Sequence, residues 1–113
     1  MHEVSIMQEI FEIVNENILI HNIEKVTSVT LQIGEFSCVE AHALEFAFEA
    51  MSKDTPSENA ELRIERVKAK ALCSQCDELF EVSFTNKICP ECGTFSNDIK
   101  EGYELVFHGM EGE

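Results

Sequence analysis

From Ile6 onward, apolar side chains recur at helical spacing. Ile6, Ile10, Ile13 and Asn17 share one row and Met7, Phe11, Val14 and Ile18 the adjacent one, giving a wide apolar face with a single polar break. Glu9, Glu12 and Glu16 fall on the opposite side. Ser5-Ile6-Met7-Gln8 has the capping-box form, in which the Ser5 hydroxyl accepts from the Gln8 amide and the Gln8 side chain reaches back, so a helix is expected to start there. It should run out near His21-Asn22, where the helical spacing fails.

From Val26 the period changes to two. Thr27, Val29, Leu31 and Ile33 alternate with Ser28, Thr30 and Gln32, as in a half-buried strand, and Gly34 ends it. Ser37-Cys38-Val39-Glu40 repeats the capping form ahead of a second helix carrying Val39, Ala43, Leu44, Phe46, Ala47, Phe48, Ala50 and Met51, closed at Thr55-Pro56. A further strand follows in Ala60, Leu62 and Ile64, so strand, helix and strand suggest a crossover unit. The apolar phase then moves to Val67, Ala69 and Ala71, a shift that a bulge near Glu65-Arg66 reconciles. Phe80 to Phe84 alternates like a hairpin strand with Thr85-Asn86-Lys87 as its turn, and Tyr103, Leu105 and Phe107 against Glu104, Val106 and His108 form a last strand returning to the main sheet. Gly109 to Glu113 reads as a frayed acidic tail.

Four cysteines interrupt this pattern. Cys73-Ser-Gln-Cys76 and Cys89-Pro-Glu-Cys92 are two C-x-x-C pairs with twelve residues between them, the spacing of two knuckles closing on one tetrahedral metal ion. Pro90 stiffens the second knuckle, and Asp77 and Gly93 follow the last cysteine of each pair, where the backbone often needs a positive φ. Zinc is the favoured occupant. Four thiolates leave no open position, so the site is structural rather than catalytic. Two disulfides in a secreted scaffold and a rubredoxin-like iron site use the same residues and stand as alternatives.

Composition changes the picture in three ways. At 113 residues there is room for one core plus a metal-stapled module. The formal net charge of −14, from 22 acidic and 8 basic residues, repels phosphate backbones and argues against nucleic acid as partner. Five cysteines leave Cys38 over, and an unpaired thiol fits a reducing compartment, so a cytoplasmic protein is expected. No apolar run approaches the ~20 residues that span a bilayer, so no membrane segment is expected. The opening Met-His-Glu has neither the positive nor the apolar region of a signal peptide, so the chain is expected to keep its own beginning.

No phosphate-binding glycine loop and no defensible nucleophile–base constellation is present, so an enzyme is not expected. His21 falls at a helix C-terminus, His42 on the polar side of the second helix and His108 on the last strand, each with an ordinary surface role. For Cys38, a small buried apolar side chain is the commoner role.

Taken whole, the chain resembles the HypA/HybF family of hydrogenase maturation proteins, the nickel metallochaperones. The resemblance rests on Met1-His2-Glu3 with Ser5, on Ile33-Gly34-Glu35-Phe36-Ser37 followed by Leu44-Glu45-Phe46-Ala47-Phe48-Glu49, and on Cys73-x-x-Cys76 with Cys89-Pro-Glu-Cys92-Gly93. It implies an α/β (α+β) fold in which two helices pack on a small mixed three-stranded sheet with an inserted zinc-ribbon module. The nickel-binding domain would comprise 1–70 plus 99–113, and the ribbon 71–98. It also implies His2 as nickel ligand, helped by backbone nitrogens at the start of the chain and with Glu3 as a further candidate, and Cys73, Cys76, Cys89 and Cys92 as zinc ligands. The implied partners are the nickel-inserting GTPase of hydrogenase maturation, the hydrogenase large-subunit precursor and, in some bacteria, urease accessory proteins. Cys38 lies outside the family pattern.

The residues reach the same end of the chain by a weaker route. His2 precedes the first capping box, so its imidazole, the Met1 amine and nearby amide nitrogens lie outside the helix, and nitrogen-rich tetragonal sets suit Ni(II) and Cu(II). A rubredoxin-like electron carrier and a zinc-ribbon adaptor that only binds protein are the competing functions.

Overall fold

The computed structural model describes residues 3–113. Helix α1 spans Glu3–His21 and buries Met7, Ile10, Phe11 and Val14, the face expected from the apolar rows, while Ile13 at the margin stays partly exposed. Its start differs from the capping-box reading. Ser5 lies inside the helix, and the acid at its beginning is Glu3, a carboxylate where the helix dipole favours one. Asn22, with φ of 53°, ends the helix as the spacing indicated.

Strand β1, Val26–Gly34, buries Val29, Leu31 and Ile33 on one face, although Thr27 on that face is exposed. Helix α2 is Ala41–Ser52 and begins later than expected: Ser37 sits in a turn, its hydroxyl 2.8 Å from the Gly34 carbonyl. The N-cap is instead Glu40, whose carboxylate accepts from the His42 amide at 3.0 Å. Leu44, Ala47 and Phe48 face the core, and the Phe48 ring stacks on Phe11 with centroids 5.4 Å apart.

Strands β2, Glu61–Val67, and β6, Leu105–Gly112, flank β1 in the order β2-β1-β6. Val26 donates to the Pro56 carbonyl and Glu35 to that of Val67, so β1 and β2 run the same way, as the crossover through α2 requires. Gly34 donates to Glu104 while Lys25 and Glu113 exchange bonds of 3.1 and 2.8 Å, so β6 runs antiparallel to β1 and the sheet is mixed, as expected. The tail is therefore not frayed: pairing continues to Glu113, because the Lys25 and Glu24 amides and the Lys25 carbonyl all find partners there.

The remaining strands are short. β3 (Lys70–Leu72) pairs antiparallel with β4 (Leu79–Glu81) and with β5 (Ile99–Glu101), in the order β4-β3-β5. The apolar phase change after Ile64 is resolved by β2 ending at Val67 and the chain entering this second sheet. The hairpin strand proposed over Phe80–Phe84 is only β4, since the chain turns at Ser83, whose amide donates to the Asn86 carbonyl at 2.9 Å.

Contacts divide the chain into two units. One holds the described residues up to Leu31 with Val39–Glu65 and Val106–Glu113, and the other Gln32–Cys38 with Arg66–Leu105. The second has its own core of Phe36, Ala69, Ala71, Phe80 and Val82 with Cys73 and Cys89.

Candidate metal centre

The two cysteine pairs lie on matching turns. Asp77 N–H donates to the Cys73 carbonyl and Gly93 N–H to that of Cys89, each at 2.8 Å, while Cys73 N–H donates to Glu78 and Cys89 N–H to Thr94, each at 3.0 Å. Closing both turns requires a left-handed residue after the last cysteine, and Asp77 and Gly93 have φ of 56° and 73°, as the sequence indicated. The Ser96 hydroxyl donates to the Leu72 carbonyl at 2.6 Å and ties the second turn to β3.

The four sulfurs converge to within 4.8 Å of one another. Cys73 and Cys92 Sγ are 3.4 Å apart and Cys76 and Cys89 Sγ 4.0 Å. Four thiolates at the zinc–sulfur distance of ~2.3 Å stand about 3.8 Å apart, so the cluster fits a tetrahedral zinc ion. All five cysteines are free, and sulfurs in a disulfide lie at about 2.05 Å, so the disulfide reading is set aside. Cys73 and Cys89 are buried against the apolar core and Cys92 is exposed, so the core shields the site on one side only.

Sequence reasoning missed Thr94. Its hydroxyl lies 3.3 Å from Cys92 Sγ, and together with its amide it holds the Cys92 thiol down at about 6. The hydrogen bond with Cys92, then burial, push the Cys76 thiol up to about 12. A hydroxyl two residues beyond the last cysteine is the only sequence signal for this partner. Phe36, assigned to no element, is also part of the site's support: it is buried with Cys73 and Cys89, stacked on Phe84 at 4.3 Å and met edge-on by Tyr103 at 5.8 Å.

The other candidates sit apart from this cluster in chemistry. His2 lies outside the described residues. Glu3 is buried, and its carboxylate accepts from the Glu40 amide at 3.3 Å; its own amide and that of Glu40 hold it below the usual carboxylate range. His21 closes α1, His42 is exposed 3.4 Å from Glu45, and His108 lies 3.9 Å from Glu65. Cys38 is exposed, not buried as expected, because the turn at Ser37 places it at φ of 61° ahead of α2.

Fold and site together define a small α+β protein stapled by a four-thiolate zinc ribbon. The family model for hydrogenase/urease nickel incorporation, the metallochaperone HypA, matches residues 1–112, and the chain belongs to that family. It is a nickel metallochaperone of hydrogenase maturation with a structural zinc site. The chain is 42% identical over 113 residues to the hydrogenase maturation factor HypA of Geotalea uraniireducens, covering 100% of both. To the maturation factor HybF of Proteus vulgaris it is 42% identical over 94 residues, 83% of each chain. A solution structure of a HypA protein superposes with a TM-score of 0.73 at 23% identity over 100% of this chain and 97% of that one. The solution structure of the Ni metallochaperone HypA from Helicobacter pylori gives 0.65 at 22% identity over 99% and 97%, and both confirm the fold. Among the described residues no helix is long and apolar enough to cross a membrane.

Proposed function

We propose that this chain holds Ni(II) at its N-terminus, with the His2 imidazole as principal ligand, backbone nitrogens beside it and Glu3 as a further ligand. The observation that carries the reading is the family match, which includes the opening Met-His-Glu. Glu3, the residue after His2 in the sequence, supports it, because its carboxyl is held below the usual carboxylate range and so offers an ionised oxygen donor. Zinc is held by Cys73, Cys76, Cys89 and Cys92 and is not transferred, because a closed four-thiolate site offers no open position for exchange. The nickel-binding part comprises 1–70 with 99–113, and the ribbon 71–98. The protein carries metal and catalyses no reaction.

Its partners are the nickel-inserting GTPase of hydrogenase maturation and the hydrogenase large-subunit precursor, with urease accessory proteins where urease shares the route; the work is cytoplasmic. The unit that contains α1 has fourteen acidic and three basic side chains, and Leu19 and Ile20 are exposed on α1, so a basic surface with an apolar patch is the complementary partner. Association with the GTPase should weaken with salt and with charge reversal at Glu9 and Glu12. Insensitivity to both would remove that surface.

The deciding experiment is nickel titration of three zinc-loaded proteins: one made with Met1 as its first residue, one extended ahead of Met1, and His2→Ala. An extension converts the Met1 amine to an amide, so both altered proteins should lose affinity. Equal affinity in all three would abandon the N-terminal site.

A further inference from the structure

The two edges of the central sheet differ in character. β2 carries Glu61, Arg63, Glu65 and Arg66 among its 7 residues, the kind of charge that keeps an edge from pairing with another chain. β6, the other edge, runs 8 residues, and Glu111 is its only formally charged side chain. That carboxylate is already engaged, 3.1 Å from the Arg63 guanidinium and 3.0 Å from the Ser28 hydroxyl.

Gly109 stands in the middle of β6, and nothing in the fold asks for glycine there. Its φ is not positive, and a Cβ added to it meets nothing within 4 Å. Glycine weakens a strand interior and often marks a place where another backbone comes close. A cleft of about 620 Å³ runs beside the strand, with Phe107, Gly109, Met110 and Glu113 on one wall and Asn17 and His21 from the last turns of α1 on the other.

We propose that β6 is a docking edge, onto which an extended, lysine- or arginine-bearing segment of another protein adds as a further strand with side chains entering the cleft. The open edge supplies backbone donors and acceptors, and the cleft beside Gly109 admits the incoming chain. Charge selects the occupant. The unit bearing β6 holds fourteen acidic and three basic side chains, so it repels a second copy of itself and attracts a cationic strand.

The test uses the zinc-loaded full chain, isotope-labelled for amide NMR, and a short synthetic peptide alternating valine and lysine. The control is the same peptide N-methylated at alternate amides, which keeps every charge but removes strand hydrogen bonds. The expected result is shifts concentrated at Val106–Gly112 and an affinity at least about tenfold weaker for the methylated peptide, from several backbone bonds lost. Gly109→Val puts a branched side chain into the space where the incoming backbone would pass while favouring the strand, so its thermal midpoint should hold or rise while peptide affinity falls about tenfold. Equal binding of the methylated peptide, shifts centred away from β6, or unchanged binding by a folded Gly109→Val overturns the proposal. A concentration-dependent dimer that broadens the β6 amides instead shows a second copy on the edge and overturns the occupant.

Discussion

Replacing Cys76 with alanine should release zinc and unfold the ribbon while the helical unit stays folded. The large apolar side chains beneath the cluster are Phe36, Phe80 and Val82, and burial of each contributes about 1.5–3 kcal/mol. Structural zinc contributes about 10–16 kcal/mol in small metal modules, so the metal is the larger influence on this segment, whose strands are only 3 residues long. The core around Met7, Phe11, Val14, Leu44 and Phe48 shares none of those side chains. Without metal, Cys92 is held at about 6 and Cys76 at about 12, so near pH 7 the cluster retains protons that zinc must expel. Loading the wild type should therefore release protons, and its zinc affinity should fall as pH falls. The assay pairs zinc stoichiometry with amide NMR: the variant should hold no stoichiometric zinc, lose dispersion over 71–98 and keep it over α1 and α2. A tightly held zinc in Cys76→Ala, or native dispersion over 71–98 in chelated wild type, would refute the reasoning.

Three further outcomes are expected. Phe48→Ala removes a buried ring stacked on Phe11 and should cost about 3–5 kcal/mol in urea denaturation with zinc content unchanged; a loss under about 1 kcal/mol would mean the helices are not held by this contact. Gly34→Ala places a Cβ against the Gly102 carbonyl carbon and oxygen, backbone atoms that must move, so it should destabilise by about 1–3 kcal/mol, and a neutral effect in the same assay would contradict the close approach. Nickel should leave as pH falls through and below ~6.5, because only the neutral imidazole coordinates and the metal pushes the midpoint lower; retention unchanged to about pH 4 would remove His2 as ligand.

Much of the molecule follows from local rules that one chain segment satisfies alone. The burial of Met7, Phe11 and Val14, the end of α1 at His21 and the alternation of β1 from Val29 to Ile33 were legible as periodicity, whereas the exposed Thr27 and buried Ser28 break it. So was the metal centre, because a C-x-x-C pair closes on its own turn and the residue after it must take a positive φ, as Asp77 and Gly93 do. What the local rules missed depended on partners distant in sequence. Ser5 and Ser37 had the form of caps, but Ser5 lies inside α1 and Glu40 caps α2, its own amide donating to the Glu3 carboxylate 37 positions away. The tail beyond Gly109 looked unstructured because nothing in it reveals that the Lys25 and Glu24 amides need acceptors. Thr94 and Phe36 gained their roles from the cysteine cluster, and Cys38 its exposure from a turn that only the folded backbone sets. Sequence by itself determined the period-bearing elements and the four-cysteine cluster, since both are written in spacing; tertiary structure decided where the elements begin, which edge stays open and what surrounds each sulfur, since those depend on which distant groups satisfy one another's hydrogen bonds and burial.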